Sequence, residues 1–182
     1  RSYTYLTDGL VMSALMVART FLHPRPNPTV GERIAVIAVG GYGRGEMAPF
    51  SDVDLLFLTP YKITPWAESV IESMLYILWD IRLKVGHASR TIKDCIRLGL
   101  EDFTIRTALL EHRFIAGHAP LAEKMNDRLA SDLFAGNGQD FIEAKLSERD
   151  ARHLKQGERY VVEPNVKEGK GGLRDLQSLF WI

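Results

Sequence analysis

The chain has 182 residues, of which 46% are hydrophobic and 25% charged, and its formal net charge is zero. This is the composition of an ordinary globular protein, and it indicates neither a nucleic-acid partner nor a membrane partner. A single cysteine, Cys95, excludes an internal disulfide framework and a CxxC zinc site, and indicates a reducing, cytoplasmic compartment. No apolar run approaches about 18 residues, so we expect no transmembrane span.

The first elements in chain order are a helix and two buried strands. Apolar residues recur at helical spacing over residues 4–22, and the proline-rich segment 23–28 ends that helix and forms a linker. Residues 33–39 and 52–58 are rich in β-branched and other apolar residues, which predicts a strand at each place.

A second helix and a third strand follow. Thr64 and Pro65 are typical of the N-cap and first residue of a helix, which we expect to run to about Trp79. Alternating apolar and basic residues predict a half-buried strand within residues 80–91. Helical patterns then predominate, over residues 92–98, 103–112, 120–134 and 139–155, and a polar glycine-bearing loop at 163–175 opens a last helix at 173–182.

The order of these elements predicts an α+β fold, in which a small mixed sheet is flanked by helices and followed by an α-helical extension. We expect three parts: an N-terminal helix and linker at 1–28, a core at 29–117, and the helical extension at 118–182. The last helix carries no stop signal, so we expect the chain to be cut from a longer protein.

A glycine-rich turn joins the two buried strands in the segment "AVIAVGGYGRGEMAPFSDVDLLFL", residues 35–58. Its glycines let the backbone adopt positive φ and approach a ligand closely, and bare N–H groups in such a turn can bind a phosphate. These glycines are Gly40, Gly41, Gly43 and Gly45. The turn therefore predicts a phosphate-binding loop.

Two carboxylates, Asp52 and Asp54, begin the second strand of this segment. Residues two apart in a strand share a face, so the two carboxylates would repel each other when both are ionised. A divalent cation with a preference for oxygen ligands, such as Mg²⁺, would relieve that repulsion and also take substrate phosphates. Turn and carboxylates together predict a site that holds a triphosphate and its metal.

Two other glycine-rich nucleotide-binding motifs fit this segment less well. A dinucleotide-binding turn needs a helix after the last glycine, where Pro49 and a strand follow, and a P-loop needs Gly-Lys-Ser/Thr, which the chain lacks. The remaining alternative is a glycine-rich hairpin whose aspartates are solvated on an edge strand.

These motifs resemble those of a known superfamily. A hydrophobic strand, Gly-Gly, a spacer and Asp-x-Asp in a second strand resemble the DNA polymerase β-like nucleotidyltransferases. The blocks "GGYGRGEMAPFSDVDLLFL" and "VEPNVKEGKGGLRDLQSLFWI" are more specifically similar to the N-terminal part of the bacterial PII uridylyltransferases. The resemblance covers the chain from about Ile34 onward, and its two blocks lie at opposite ends.

The resemblance implies roles for particular residues. Asp52 and Asp54 would be catalytic and hold two Mg²⁺ ions, one activating the acceptor hydroxyl and one steadying the leaving pyrophosphate. Gly41 stands where many relatives have serine, so Ser51 or backbone N–H groups would contact the phosphates. Basic residues of the second block suit a triphosphate or the acceptor protein. The implied nucleotide-binding residues are Gly40, Gly41, Arg44, Ser51, Lys167 and Arg174.

A third catalytic carboxylate is implied by the superfamily. The segment "WDIRLKVG" resembles one in the related glutamine synthetase adenylyltransferase and nominates Asp80, although Asp80 could instead merely end the preceding helix. Glu111 and Asp102 are further candidates. Two other reactive residues, the lone His87 and Cys95, are more typical of structural positions.

The implied function is metal-dependent transfer of UMP from UTP to a tyrosine hydroxyl of the signalling protein PII, with release of pyrophosphate. One alternative is an orphan nucleotidyltransferase of the same fold with another acceptor. Another is a catalytically inactive nucleotide-binding module that regulates a partner, against which the retention of both aspartates argues.

Overall fold

The computed structural model describes residues 2–136, 138–155 and 165–182. It contains two compact units, Arg1–Asp132 and Leu133–Ile182. The predicted boundaries after residues 28 and 117 stay a prediction, and each compact unit is described by itself.

The first unit is built on a mixed four-stranded sheet. Its strands are β1 (Ala35–Ala38), β2 (Val53–Thr59), β3 (Val85–Thr91) and β4 (Arg113–Gly117), in the order β3-β2-β1-β4. Strand β1 runs antiparallel to β2 and β4, whereas β2 and β3 are parallel. The predicted α+β class with a small mixed sheet is confirmed.

Eight α-helices are described, two of which continue into π-helical turns. Thr64 caps α3, since its side chain accepts a hydrogen bond from the Ala67 N–H at 3.2 Å, as its pairing with Pro65 predicts. The helices are α1 (Ser2–Val17, continued by Ala18–Leu22), α2 (Gly40–Gly43), α3 (Pro65–Asp80), α4 (Ile92–Glu101), α5 (Phe103–Leu110), α6 (Ala119–Arg128, continued by Leu129–Phe134), α7 (Gly138–Lys155) and α8 (Leu173–Trp181).

The hydrophobic core of the first unit lies between one face of the sheet and helices α1 and α3. Val53, Leu55 and Phe57 of β2 are fully or almost fully buried in it. Because side chains alternate along a strand, Asp54 and Leu56 turn to the opposite face. The alternation that buries β2 thus places a carboxylate on the face away from the α1–α3 core.

Three details of the sheet differ from the sequence prediction. Strand β3 begins only at Val85, because Arg82 adopts a φ of 63° and the chain turns there after α3. Strand β2 begins at Val53, so Asp52 lies one residue before it. No element was predicted over the five residues of β4, because they closely follow a helix and show little apolar–polar alternation.

One helical stretch, Ser2–Leu22, is long and apolar enough to cross a membrane by length and composition alone, with a mean hydropathy of 1.2. A single stretch of this kind near the N-terminus is weak evidence for a span, and the lengths of the apolar runs in the sequence predicted none. One side of it is buried in the core through Val11, Ala14 and Ala18.

The second unit contains α7, the loop from Asn165 and α8. Asp175 of α8 accepts hydrogen bonds from Arg152 and His153 of α7 and from the Gly171 N–H of the loop. Burial alone would raise the pKa of the Asp175 carboxyl, but these three donors outweigh it and hold that pKa below its ordinary value. The carboxylate therefore ties the loop and both helices together.

Candidate active site

The glycine turn forms the short helix α2 against the carboxylate of Asp54. Gly40 adopts a φ of 57°, and a Cβ atom at Gly40 would lie 3.6 Å from Oδ2 of Asp54. The Val39 N–H donates to the Asp54 carbonyl at 3.1 Å, which fixes the turn on the start of β2. Turn and carboxylate are thus held side by side, as their spacing in the sequence predicts.

The other glycines of the turn serve different purposes. Gly45 has a positive φ of 74°, whereas Gly41 and Gly43 do not, so the expectation of positive φ is wrong for those two. They lie within the right-handed turn of α2. Gly43 is needed for close packing, because a Cβ atom there would lie 1.7 Å from the carbonyl oxygen of Glu111.

Asp52 and Asp54 form an electrostatically coupled pair at the start of β2. Asp54 is half-buried, and burial raises the pKa of its carboxyl, which the nearby charge of Asp52 raises further. Within residues 2–136, 138–155 and 165–182, neither carboxylate makes an ion pair with a basic side chain. Two repelling carboxylates without a protein cation are suited to a divalent metal ion.

Polar side chains of α1 and β4 form a hydrogen-bonded cluster with the glycine turn. The Tyr42 hydroxyl donates to Asp8 of α1 at 2.7 Å, and Arg113 of β4 donates to the same carboxylate at 2.8 Å. Arg113 also donates to the carbonyl oxygens of Tyr42 and Gly43, at 3.3 Å each. Thr4 of α1 donates to the Gly45 carbonyl at 2.9 Å.

The side chain of Tyr42 is shielded by this cluster. Burial raises the pKa of its hydroxyl well above the ordinary value, and the hydrogen bond to Asp8 raises it further. Tyr42 therefore stays a neutral hydrogen-bond donor, and its contact with Asp8 links α1 to the glycine turn.

Two predicted nucleotide-binding residues of the turn are engaged within the protein. Arg44 forms an ion pair with Glu111 at 2.5 Å, and Glu111 is 7% exposed. Ser51 accepts a hydrogen bond from the Ala48 N–H at 3.1 Å. Both residues lie close to the turn in the chain, and their contact with a nucleotide stays a prediction.

The candidates for a third carboxylate lie in different environments. Asp80 is exposed at the last residue of α3, and Asp102 caps α5 by accepting from the Thr104 and Ile105 N–H groups. Glu111 is paired with Arg44. Among the described residues, no group of three or more His, Cys, Asp or Glu side chains could hold a metal ion.

The neighbour of Asp54 on β3 is a glycine. The parallel register pairs Asp54 with Gly86, and a Cβ atom at Gly86 would lie 2.7 Å from Oδ1 of Asp54. The Asp54 carboxylate thus lies over a position where β3 has no side chain. The sequence pattern held no indication of this contact, because it depends on the register of two strands.

The cations of the second block lie in the other compact unit. Lys167 is exposed in the loop before α8, and Arg174 lies 3.4 Å from Glu168 and from Gln177. The loop was predicted to start at residue 163, but Glu163 and Pro164 lie outside the described residues. The roles of Lys167 and Arg174 in binding stay predictions.

His87 is exposed and packs against two aromatic side chains, whereas Cys95 is buried. The His87 ring packs edge-on against Phe57 and Trp79, with ring centroids 6.4 Å and 6.3 Å away. Burial raises the pKa of the Cys95 thiol to about 11, so the thiol is protonated and unreactive at neutral pH.

Two protein families match different parts of the chain. Residues 27–115 match the nucleotidyltransferase domain, and residues 140–182 match the GlnD PII-uridylyltransferase family. The first match contains the glycine turn and both aspartates, and the second contains Lys167 and Arg174.

Curated relatives match the chain along its whole length. It is 78% identical to the "Bifunctional uridylyltransferase/uridylyl-removing enzyme" of Ruegeria pomeroyi over 182 residues, which are 100% of this chain and 20% of the relative. Proteins of that name from Cereibacter sphaeroides and Azospirillum brasilense are 73% and 58% identical over 183 residues, with the same coverage. The chain thus spans about a fifth of the length of these relatives.

Proposed function

We propose, from the premise that this chain belongs to the family of bifunctional uridylyltransferase/uridylyl-removing enzymes, that its first unit carries the site of UMP transfer. The donor would be UTP and the acceptor a tyrosine hydroxyl of PII. The observation that supports the proposal is the contact between the glycine turn and Asp54, in which the Gly40 position lies 3.6 Å from a carboxylate oxygen.

The turn is suited to hold the triphosphate. Its first internal hydrogen bond runs from the Gly43 N–H to the Val39 carbonyl, so the N–H groups of Gly40, Gly41 and Tyr42 precede the helical ladder of α2. Such groups can bind phosphate oxygens. In the transfer, the tyrosine oxygen bonds to the α-phosphorus, the bond to the bridging oxygen breaks, and pyrophosphate and a proton leave.

Asp52 and Asp54 are the residues that would hold a divalent cation such as Mg²⁺, which would neutralise phosphate charge and make the acceptor hydroxyl more acidic. The raised pKa of Asp54 supports this role, because a half-buried carboxylate beside a second one is stabilised by a cation. The number of ions, the use of UTP and a cytoplasmic location belong to the proposal as well.

The test is transfer of label from UTP to purified PII in saturating Mg²⁺. We expect Asp52→Asn and Asp54→Asn to lower the rate by at least about 100-fold, since each removes a charge that the transition state needs. Asp127→Asn is the matched control, because Asp127 is exposed on α6. A near-wild-type rate in either aspartate variant would contradict the proposal.

A second candidate function is a nucleotide-binding regulatory module without catalysis. Among the described residues, no third acidic or metal-binding side chain joins Asp52 and Asp54 in a group that could hold a metal ion, which favours this candidate. This candidate predicts binding of Mg²⁺–UTP by the wild-type protein without transfer to PII or to any other acceptor. An orphan nucleotidyltransferase would instead label a different protein in the same assay.

A further inference from the structure

A pocket of about 250 Å³ opens beside Asp54, on the sheet face that carries this carboxylate. Strands β2 and β3 form its floor, and helix α5 forms a wall. Gly40 and Asp54 lie at one side of it, so the pocket adjoins the proposed triphosphate site.

The pocket is lined mainly by apolar side chains. Leu56 and Ala88 line it from the sheet, and Ile105, Ala108 and Leu109 line it from α5. Such walls are unsuited to a triphosphate, which needs N–H groups and cations, but they can pack against a planar nucleobase and its sugar. A nucleotide whose phosphates lie at the glycine turn would therefore place its base here.

Arg90 lies at the end of the pocket that is remote from the carboxylates. Gly86, Ala88 and Arg90 share one face of β3, and Gly86 is the residue paired with Asp54. Arg90 follows Gly86 by four residues, so its backbone lies about 13 Å along the strand from the position that pairs with Asp54. Within the described parts of the chain, the Arg90 guanidinium makes no hydrogen bond and no ion pair.

We propose that this pocket binds the uracil base of the nucleotide and that Arg90 donates hydrogen bonds to its O4 carbonyl oxygen. The proposal rests on the proposed function and names the residue that selects the base. Arginine carries donors and no acceptor, so it suits a carbonyl oxygen. Cytosine presents an amino group at the same position, which would leave two donors facing each other.

Thr104 lines the pocket as well, with a hydroxyl that can either donate or accept. Its position one helical turn before Ala108 on α5 puts this hydroxyl on the same face of the helix as the apolar wall. Discrimination between uracil and cytosine therefore rests mainly on Arg90, because a hydroxyl adapts to both bases.

The test compares three ligands by calorimetric titration of the purified protein in Mg²⁺: UTP, CTP and inorganic tripolyphosphate. We expect Arg90→Met to weaken UTP binding by about 10- to 100-fold, to change CTP binding much less, and to leave tripolyphosphate binding unaltered. Arg97→Met is the matched control, since Arg97 is exposed on α4 and pairs with Glu101. It should change none of the three affinities.

Other outcomes overturn the inference. Equal weakening of UTP and tripolyphosphate by Arg90→Met would place Arg90 on the phosphates, and unchanged UTP affinity would remove it from the site. If the wild-type protein bound neither UTP nor tripolyphosphate, the proposed function itself would fail. If it bound UTP and tripolyphosphate equally well, the proposed function could stand, but the base pocket would be wrong.

A second variant keeps the proposal testable if Arg90→Met does not fold. Ala108→Phe places a ring in the pocket from a half-exposed position on α5. We expect it to weaken UTP and CTP binding alike and to spare tripolyphosphate. Unchanged UTP affinity in the folded variant would show that the base lies elsewhere.

Discussion

At the scale of single residues, the site depends on what surrounds Asp54. Its carboxylate lies between the Gly40 turn and the bare backbone of Gly86, and burial together with Asp52 makes its negative charge unfavourable. A position that costs stability and holds a charge toward a cleft is typical of a functional residue. The geometry and the electrostatics of this arrangement can be changed separately, by substitutions at Gly86 and at Asp54.

Gly86→Ala tests the geometry. The new Cβ atom would lie 2.7 Å from Oδ1 of Asp54, which is the end of a side chain and can move aside. We expect a change in the free energy of unfolding below about 1 kcal/mol, but a fall in transfer rate of about 100-fold, because the carboxylate leaves its place. Gly9→Ala is the control, since a Cβ atom at Gly9 meets nothing within 4 Å. Full activity of Gly86→Ala would show that this placement is unimportant.

Asp54→Asn tests the electrostatics through stability. The folded state raises the pKa of Asp54, so ionisation of this carboxyl costs stability as the pH rises through the raised pKa. At pH 7 without divalent cations, the neutral variant should melt higher, by at most about 2 °C after solvent screening of a half-exposed group. The advantage should disappear below the ordinary pKa of an aspartate. A lower melting temperature of the variant at pH 7 would contradict the assigned cause.

At the scale of elements, helix α1 holds the glycine turn in place through hydrogen bonds. Asp8 accepts from Tyr42 of α2 and pairs with Arg113 of β4, so three elements meet at one carboxylate. Thr4 adds a hydrogen bond to Gly45. The N-terminal helix, which was predicted as a part separate from the core, is thus in direct contact with the glycine turn.

A double-mutant cycle of Asp8→Ala and Tyr42→Phe tests this linkage. We expect Asp8→Ala to cost about 2–3 kcal/mol, because it leaves Arg113 and the Tyr42 hydroxyl without their partner, and Tyr42→Phe to cost about 1 kcal/mol. The two should be non-additive by roughly 1 kcal/mol in urea unfolding. Both should weaken tripolyphosphate binding. Strict additivity with unchanged binding would show that α1 does not position the turn.

At the scale of the whole molecule, the chain spans about a fifth of its curated relatives and forms two compact units. Helix α8 exposes large apolar side chains, with Leu179 at 73% and Phe180 at 90% exposure. The turn, both aspartates and the pocket all lie in the first unit. These parts of the proposed nucleotide site therefore belong to a single compact unit.

We predict that a protein consisting of residues 1–182 folds and binds Mg²⁺–UTP but transfers UMP to PII at least about tenfold more slowly than its full-length relative from Ruegeria pomeroyi. The reason is that the turn, both aspartates and the pocket belong to one compact unit, whereas docking of a protein acceptor would need additional surface. Parallel assays with the same PII preparation measure the difference. Equal rates would show that these residues contain the whole acceptor site.

The sequence by itself determined the local features of the site. The spacing of apolar residues defines β1 and β2, and the glycines between them indicate a tight turn. Because successive side chains of a strand point to opposite faces, Asp54 points away from the face that buries Val53 and Leu55. These are properties of neighbouring residues along one backbone, so they can be read without knowledge of the fold. The resemblance drawn from the same motifs is confirmed by the similarity of the whole chain to a fifth of each curated relative.

Only the tertiary structure decided what these features contact. Asp8 and Arg113 are 105 residues apart in the chain, and nothing near either of them in the sequence indicates their pairing. The contact of Asp54 with Gly86 depends on the parallel register of β2 and β3, and a shift by one residue would turn the other face of β3 toward it. Such contacts follow from how distant segments pair, because strand order and register are set by packing of the whole sheet rather than by any local pattern.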